Sequence, residues 1–351
     1  MTDRPIRVAC LCDRAGWCFE SRALQIQKHA PPHLHIDVLH IGYSSIEHEI
    51  VWPLYDVVFC MWPQKTSEVR AILDNLGLKT PLIAAYNSGT HRPGYGLEMT
   101  AAADYVIVNN WGSWAHAMAK SFGRFKGCHI SNGVDMGFYC VKRPIAERPN
   151  RVLWITSETK AQDPDDVKGW RTLLRPLEPM LREKGIECDF RVVKPEEEMT
   201  AERMVDWYNS GSVFLVTSKS EGTPNTALEA AACGCVIVST PVGNLTELIQ
   251  PGRNGAIFER GGDADVLKAF EGIEAALANR EAWSAAMRES LIGGEWEWSR
   301  RSRFYHAVFK GVHARYAVDF EDSSRNSVIG MPPFTYLTAD LEQIDGSAPP
   351  F

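Results

Sequence analysis

Two glutamates, Glu221 and Glu229, are separated by seven residues that include Gly222-Thr223-Pro224-Asn225-Thr226. The apolar run 213–218 before them reads as a buried strand, and so does the run 235–240 after them. Thr223 is suited to cap a helix over 226–233, and Pro224 suits its first turn. Such a helix start offers backbone N–H groups and a positive dipole end to an anion. Glu221 then falls in the loop before the helix, and Glu229 lies about two turns inside it. Each carboxylate can accept a pair of O–H bonds. One segment therefore combines an anion cradle with two hydroxyl-binding acids, and a nucleotide-sugar has the matching parts: sugar, diphosphate and ribose. The plain structural alternative is a helix-terminal acid and a surface acid.

Other candidates lie elsewhere. Gly16 follows the first strand-like run in Asp13-Arg14-Ala15-Gly16-Trp17 and opens a helical pattern, so backbone there can approach an anion closely; a plain turn glycine is the other reading. Trp17, Trp62 and Trp111 follow strand ends, and their flat faces can stack on sugars or bases, with ordinary packing as the alternative. His33-x-His35 has the look of a metal pair but no third ligand beside it, so no metal site is expected. Asp13, Asn87 and Arg92 are weaker polar neighbours.

These residues need a scaffold, and the pattern supplies one. Strand-like runs at 6–12, 36–41, 57–62, 82–86, 105–109 and 129–131 alternate with helical patterns at 19–29, 67–76 and 113–122. The alternation restarts with strands at 151–156, 189–193, 213–218, 236–240 and 256–258. Helices at 167–184, 201–209, 226–233, 264–278 and 281–291 separate and follow them. Two such blocks predict two Rossmann-like, doubly wound α/β domains, with ligands beyond the carboxyl ends of the strands. The boundaries are expected at 1–145, 146–298 and 299–351, the last an aromatic and basic helix over 296–317 followed by an extended tail from 319. The aperiodic stretch 141–150 reads as the linker.

With 351 residues the chain is long enough for two domains. Its 45% hydrophobic and 23% charged content are those of a globular protein, and a net charge of −7 disfavours a broad nucleic-acid face. Cys10 and Cys12, like Cys233 and Cys235, sit in apolar runs and are expected as buried thiols. The odd count of nine cysteines suits a reducing compartment. Met1 leads directly to a strand, so neither a leader nor a membrane span is expected and the location is read as cytoplasmic.

The motifs, taken in order, resemble retaining GT-B glycosyltransferases close to family GT4, the group 1 enzymes. The Glu-x7-Glu segment carries the likeness, with Asn132-Gly133-Val134-Asp135, Lys168-Gly169, Val242-Gly243-Asn244-Leu245-Thr246-Glu247 and Gly252-Arg253-Asn254-Gly255. It is strong over 152–278 and thinner before that. The resemblance implies the GT-B fold, two domains facing a cleft with the final helix crossing back to the first. It implies that Glu221 binds donor-sugar hydroxyls and faces positive charge at the anomeric carbon, that Glu229 binds ribose, and that Lys168 meets the diphosphate. It implies a nucleotide-diphosphate sugar as co-substrate, a UDP-sugar by family habit, with neither cofactor nor metal. His91, after the fourth strand, is placed as catalytic by the same likeness. Asp135 would shape its loop. Relatives usually carry an arginine just after the first strand of the second domain; here that stretch is Ile155-Thr156-Ser157-Glu158-Thr159-Lys160, and Lys160 is the substitute on offer. They often have two glycines where this chain has Gly16.

The acceptor stays open: a saccharide, a lipid-linked hydroxyl or a small molecule. A second reading keeps the fold and takes a hydroxylated DNA base as acceptor, supported by the basic stretch 300–315 and opposed by the acidic total. A third is a nucleotide-sugar-binding module without transfer, which the missing arginine favours.

Overall fold

The computed structural model describes residues 4–42, 50–87, 97–120, 126–194, 197, 199–262 and 264–322. The chain divides into two compact units, one formed by 1–131 with 298–351 and the other by 132–297.

The first unit begins with β1 (Ile6–Cys12), α1 (Cys18–Lys28), β2 (Leu34–His40), β3 (Val57–Cys60), α2 (Thr66–Asn75) and β4 (Leu82–Tyr86). It continues through β5 (Tyr105–Val108), α3 (Trp111–Lys120) and β6 (Gly127–His129). Its strands pair in parallel in the order β2-β1-β3-β4-β5-β6. Strand side chains alternate between faces, so Val8, Cys10 and Cys12 share one core with Phe59, Ala23 and Ile26, while Ala9 and Leu11 share another with Val58, Cys60 and Leu73. A sheet covered on both faces needs apolar residues at every position. Val57, Val58, Phe59 and Cys60 are accordingly all buried.

The second unit contains β7 (Arg151–Ser157), a short α4 (Glu158–Ala161), α5 (Arg175–Glu183), β8 (Glu187–Val193), α6 (Ala201–Tyr208) and β9 (Val213–Val216). After these come α7 (Asn225–Ala232), β10 (Val236–Ser239), α8 (Leu245–Leu248), β11 (Gly255–Ile257), α9 (Asp265–Ala278) and α10 (Arg280–Gly293). The order is β11-β10-β9-β7-β8, again parallel. Leu153, Phe214 and Ile237 face the α6, α7 and α10 side, with Tyr208, Leu228 and Met287. Val152, Leu215 and Val238 face the α5 and α9 side, with Leu177, Leu181 and Ile273. Strand order reverses between β7 and β9, which makes the carboxyl ends of those two strands the natural ligand crevice.

The last helix, α11 (Trp298–Asp322), belongs to the first unit. Tyr305 and Phe309 bury on Phe59 at 6.2 and 5.6 Å between ring centroids. Burying a side chain such as Phe309 contributes about 1.5–3 kcal/mol. The helix runs past 319, where an extended tail was expected; residues 323–351 lie outside the described ones. Among the described residues, no helix is long and apolar enough to cross a membrane. The nine cysteines are free, and Cys10, Cys12, Cys233 and Cys235 are buried as expected.

The boundary between the units and the start of one helix also depart from the sequence reading. The units part at Ser131/Asn132, not near 145. Val134 donates to Trp296 O at 2.8 Å, and the stretch 141–150, though mostly exposed, lies within the second unit and is anchored there by Arg148. Arg148 is 2% exposed, and its guanidinium donates to Tyr208 O, Gly211 O and Cys233 O. The helix expected from 167 begins at Trp170 with a π-helical turn, because Gly169 holds a left-handed φ of 72°.

Candidate functional site

The site assembles at the strand-order reversal of the second unit. Two connections meet there: residues 158–169 after β7, and residues 217–224 after β9.

The first connection is held from several sides. Thr217 Oγ1 donates to Lys168 O at 2.5 Å and accepts from the buried Trp154 indole at 2.9 Å. Lys219 N donates to Val167 O at 2.8 Å. Asp166, at a positive φ of 47°, accepts from the Thr172 hydroxyl (2.7 Å) and amide (2.9 Å) and from the Arg171 amide (3.1 Å). Burial pushes the Asp166 carboxyl up. The Thr172 and Arg171 donors and the Arg260 charge outweigh it, leaving its pKa below the ordinary value. The glycine of the Lys-Gly pair has a steric reason besides its φ: a Cβ on Gly169 would lie 2.9 Å from Thr217 O.

This backbone presents the Lys168 side chain to Glu221. Lys168 Nζ is hydrogen-bonded and ion-paired to Glu221 Oε1, and Ser218 Oγ donates to the same oxygen at 2.6 Å. The pair is partly buried, the side chains being 25% and 17% exposed. The cation and the acid that the sequence placed on different parts of a ligand are thus brought together.

Helix α7 starts one residue earlier than expected, and its cap differs. Pro224 is the N-cap residue (φ −74°, ψ 84°), without a side-chain cap bond, so Thr223 does not cap the helix. Proline fixes φ near the helical value, but its extended ψ here leaves it outside the helix. The Thr223 hydroxyl is buried and has no hydrogen-bond partner among the described residues. Asn225 opens the helix and its Oδ1 accepts from Asn132 Nδ2 at 3.1 Å, which ties the Asn-Gly-Val-Asp run to the helix start. Thr226 follows in the first turn, where backbone amides lack intrahelical partners. Gly222 is buried, and its carbonyl lies 2.5 Å from where a Gly243 Cβ would sit, which explains the glycine at 243 (φ 55°). Asp135 shapes its loop as expected: Oδ1 accepts from the Gly137 and Phe138 amides, both at 3.1 Å.

Glu229 is half-buried and carries a pair of phenols. Tyr208 Oη donates to Glu229 Oε2 at 2.7 Å, and Tyr139 also hydrogen-bonds the carboxylate. Burial raises its pKa above the ordinary value, with the two tyrosine hydrogen bonds opposing. Burial and the Glu229 charge push both phenols up as well, so they remain donors. Sequence reasoning found Glu229 but not these partners, nor Ser218 or Arg260.

Lys160 lies on α4 with its residue exposed. In the first unit, Gly16 has φ 75° and its amide donates to Glu20 Oε2 at 2.6 Å, so a carboxylate of α1 already occupies that donor. Glu20 also pairs with His40 at 2.6 Å. Trp17 is half exposed, with the Arg14 guanidinium 3.3 Å above its ring. Trp62 is partly buried against the α2-side core, and Trp111 is half exposed and stacked on His129 at 4.4 Å. Trp17 and Trp62 follow β1 and β3, between which this sheet reverses order; Trp111 stands after β5, farther along it. Asn87 bridges Arg22 and the Met61 carbonyl, and His35 pairs with Asp37 at 3.1 Å. His91 and Arg92 lie outside the described residues.

Known proteins resemble this chain in part of its sequence and in its fold. Residues 175–277 match the family model described as Glycosyl transferases group 1. A D-inositol 3-phosphate glycosyltransferase of Kribbella flavida is 35% identical over 118 residues, 34% of this chain and 27% of the relative. One from Arthrobacter sp. is 38% identical over 142 residues, 40% of this chain and 32% of the relative. The chain therefore aligns with only about a third or less of these relatives' length. Among solved structures, a glycosyltransferase of Rickettsia africae covers 89% of this chain and 99% of its own at TM-score 0.63 and 11% identity. The Anabaena protein HepE in complex with UDP covers 88% and 100% at TM-score 0.64 and 14% identity. The fold is GT-B.

Proposed function

We propose that this chain, a group 1 glycosyltransferase by sequence over 175–277 and a GT-B protein by fold, transfers a sugar from a nucleotide diphosphate to an acceptor hydroxyl with retention at the anomeric carbon. The observation that carries the reading is the meeting of Lys168 and Glu221 beside the amino end of α7. The leaving diphosphate gathers negative charge as the anomeric C–O bond breaks. Lys168 and the α7 amides are fixed donors for that charge, so little reorganisation is needed when it develops. Glu221 accepts from donor-sugar hydroxyls and faces the positive charge left on the sugar. Glu229, oriented by Tyr208 and Tyr139, keeps acceptor capacity for the ribose hydroxyls. The acceptor oxygen bonds the anomeric carbon on the face the leaving group departs, and a diphosphate oxygen takes its proton. Protein donors fill the electrostatic role, and no resident metal is invoked.

The UDP and UDP-glucose complexes of the Anabaena neighbour support a UDP-sugar as the first donor to try. The names of the curated relatives make D-inositol 3-phosphate the first acceptor to try. The test is transfer from UDP-sugars by the wild type and by Glu221→Ala. The variant is expected to lose on the order of 10²–10³-fold in kcat while folding normally. Wild-type turnover in a folded variant overturns the assignment.

A further inference from the structure

We infer that Arg260 is a positioning residue for Lys168, a role that rests on the reading of Lys168 given above. The Arg260 side chain is 7% exposed; the acids that act on it are Asp166, at 3.8 Å and 5% exposed, and Asp265. Its other contacts are neutral acceptors on the two connections that build the site. One terminal nitrogen donates to Val167 O (3.1 Å) and Thr217 O (2.5 Å). The other donates to Asp166 O (2.9 Å) and Thr172 Oγ1 (3.2 Å).

The geometry is a clamp. Val167 immediately precedes Lys168, and Thr217 is the residue whose hydroxyl holds the Lys168 carbonyl. One planar fork therefore ties the residue before the lysine to the strand end that carries Ser218 and Glu221. A guanidinium can bridge several carbonyls at fixed angles; an ammonium cannot reproduce that fork. Gly169 Cα stands against the same group, since a Cβ there would lie 3.3 Å from Arg260 Cζ. A charge this buried is retained at a desolvation cost, which the three carbonyls and Asp166 offset. The clamp touches none of the atoms proposed to meet the donor.

The test is a double-mutant cycle on the full chain, with UDP-glucose as donor probe and donor KM, kcat and melting temperature as readouts. Lys168→Ala should lower kcat/KM on the order of 10²-fold. Arg260→Ala should raise donor KM and lower kcat/KM by roughly tenfold or more, since displaced catalytic groups lose rate steeply. The double variant should match Lys168→Ala within about twofold, because a residue that acts through another has nothing left to position. Arg260→Lys should fall between wild type and Arg260→Ala, and it serves in the cycle should Arg260→Ala fail to fold. Multiplying losses in the double variant, or a fall in active fraction with donor KM unchanged, would make Arg260 purely structural and overturn the inference. Unchanged kcat/KM in folded Arg260→Ala would overturn it as well. Full activity in Lys168→Ala would instead overturn the functional reading on which it rests.

Discussion

Gly169→Ala, measured against Gly185→Ala, isolates what the Lys-Gly pair does. Both glycines lie in the second unit with φ 72°, so alanine strains both alike. That strain costs about 1–2 kcal/mol. The surroundings differ. Among the described residues a Cβ at 185 meets nothing within 4 Å, whereas at 169 it lies 2.9 Å from Thr217 O, a backbone atom with little room to yield. Forcing an atom into a filled space adds about 1–3 kcal/mol. In a domain of this size each kcal/mol is worth about 2–4 °C, so Gly169→Ala should melt about 2–12 °C below Gly185→Ala. The clash also pushes the Lys168 carbonyl off the Thr217 hydroxyl. Turnover well below the melting range should therefore fall about tenfold or more in Gly169→Ala and stay at wild type in Gly185→Ala. Thermal melts and donor kinetics on the two variants suffice. Equal melting temperatures with full turnover in Gly169→Ala would refute the packing argument and its link to Lys168.

Two further outcomes follow. Because the Glu229 pKa is raised in the folded chain above the ordinary 4.5, its contribution is present below that value and lost as pH rises through the raised one. Glu229→Gln has no such loss, so its melting temperature should gain on the wild type as pH rises above 4.5, while nucleotide affinity falls; a difference that does not change with pH contradicts the burial of that carboxyl. Transfer should also be unchanged by EDTA, and loss of activity restored by a divalent cation would show that protein donors do not supply the charge stabilisation.

The fold was legible because its signals are local. The run Val213-Phe214-Leu215-Val216 and its counterparts are apolar at every position, as strands covered on both faces must be. Glu221 and Glu229 were legible for the same reason, since the spacing lies within one strand–loop–helix unit. What escaped the reading is long-range. Tyr139 stands far from Glu229 in sequence, and Arg260 is 93 residues from Val167. The end of the first unit was misplaced because the bonds that tie 132–145 to the second unit are long-range: Val134 N donates to Trp296 O, and Asn132 Nδ2 donates to Asn225 Oδ1. Thr223 was misread as a cap because sequence preference cannot tell which of two adjacent residues leaves the helical region first.

A structure of the chain with a bound UDP-sugar tests the central claim most directly. Diphosphate oxygens should lie within hydrogen-bond reach of the α7 amides and Lys168 Nζ, with Glu221 on the sugar hydroxyls and Glu229 on the ribose. A nucleotide bound away from α7, with the Lys168–Glu221 pair unaltered, would contradict it.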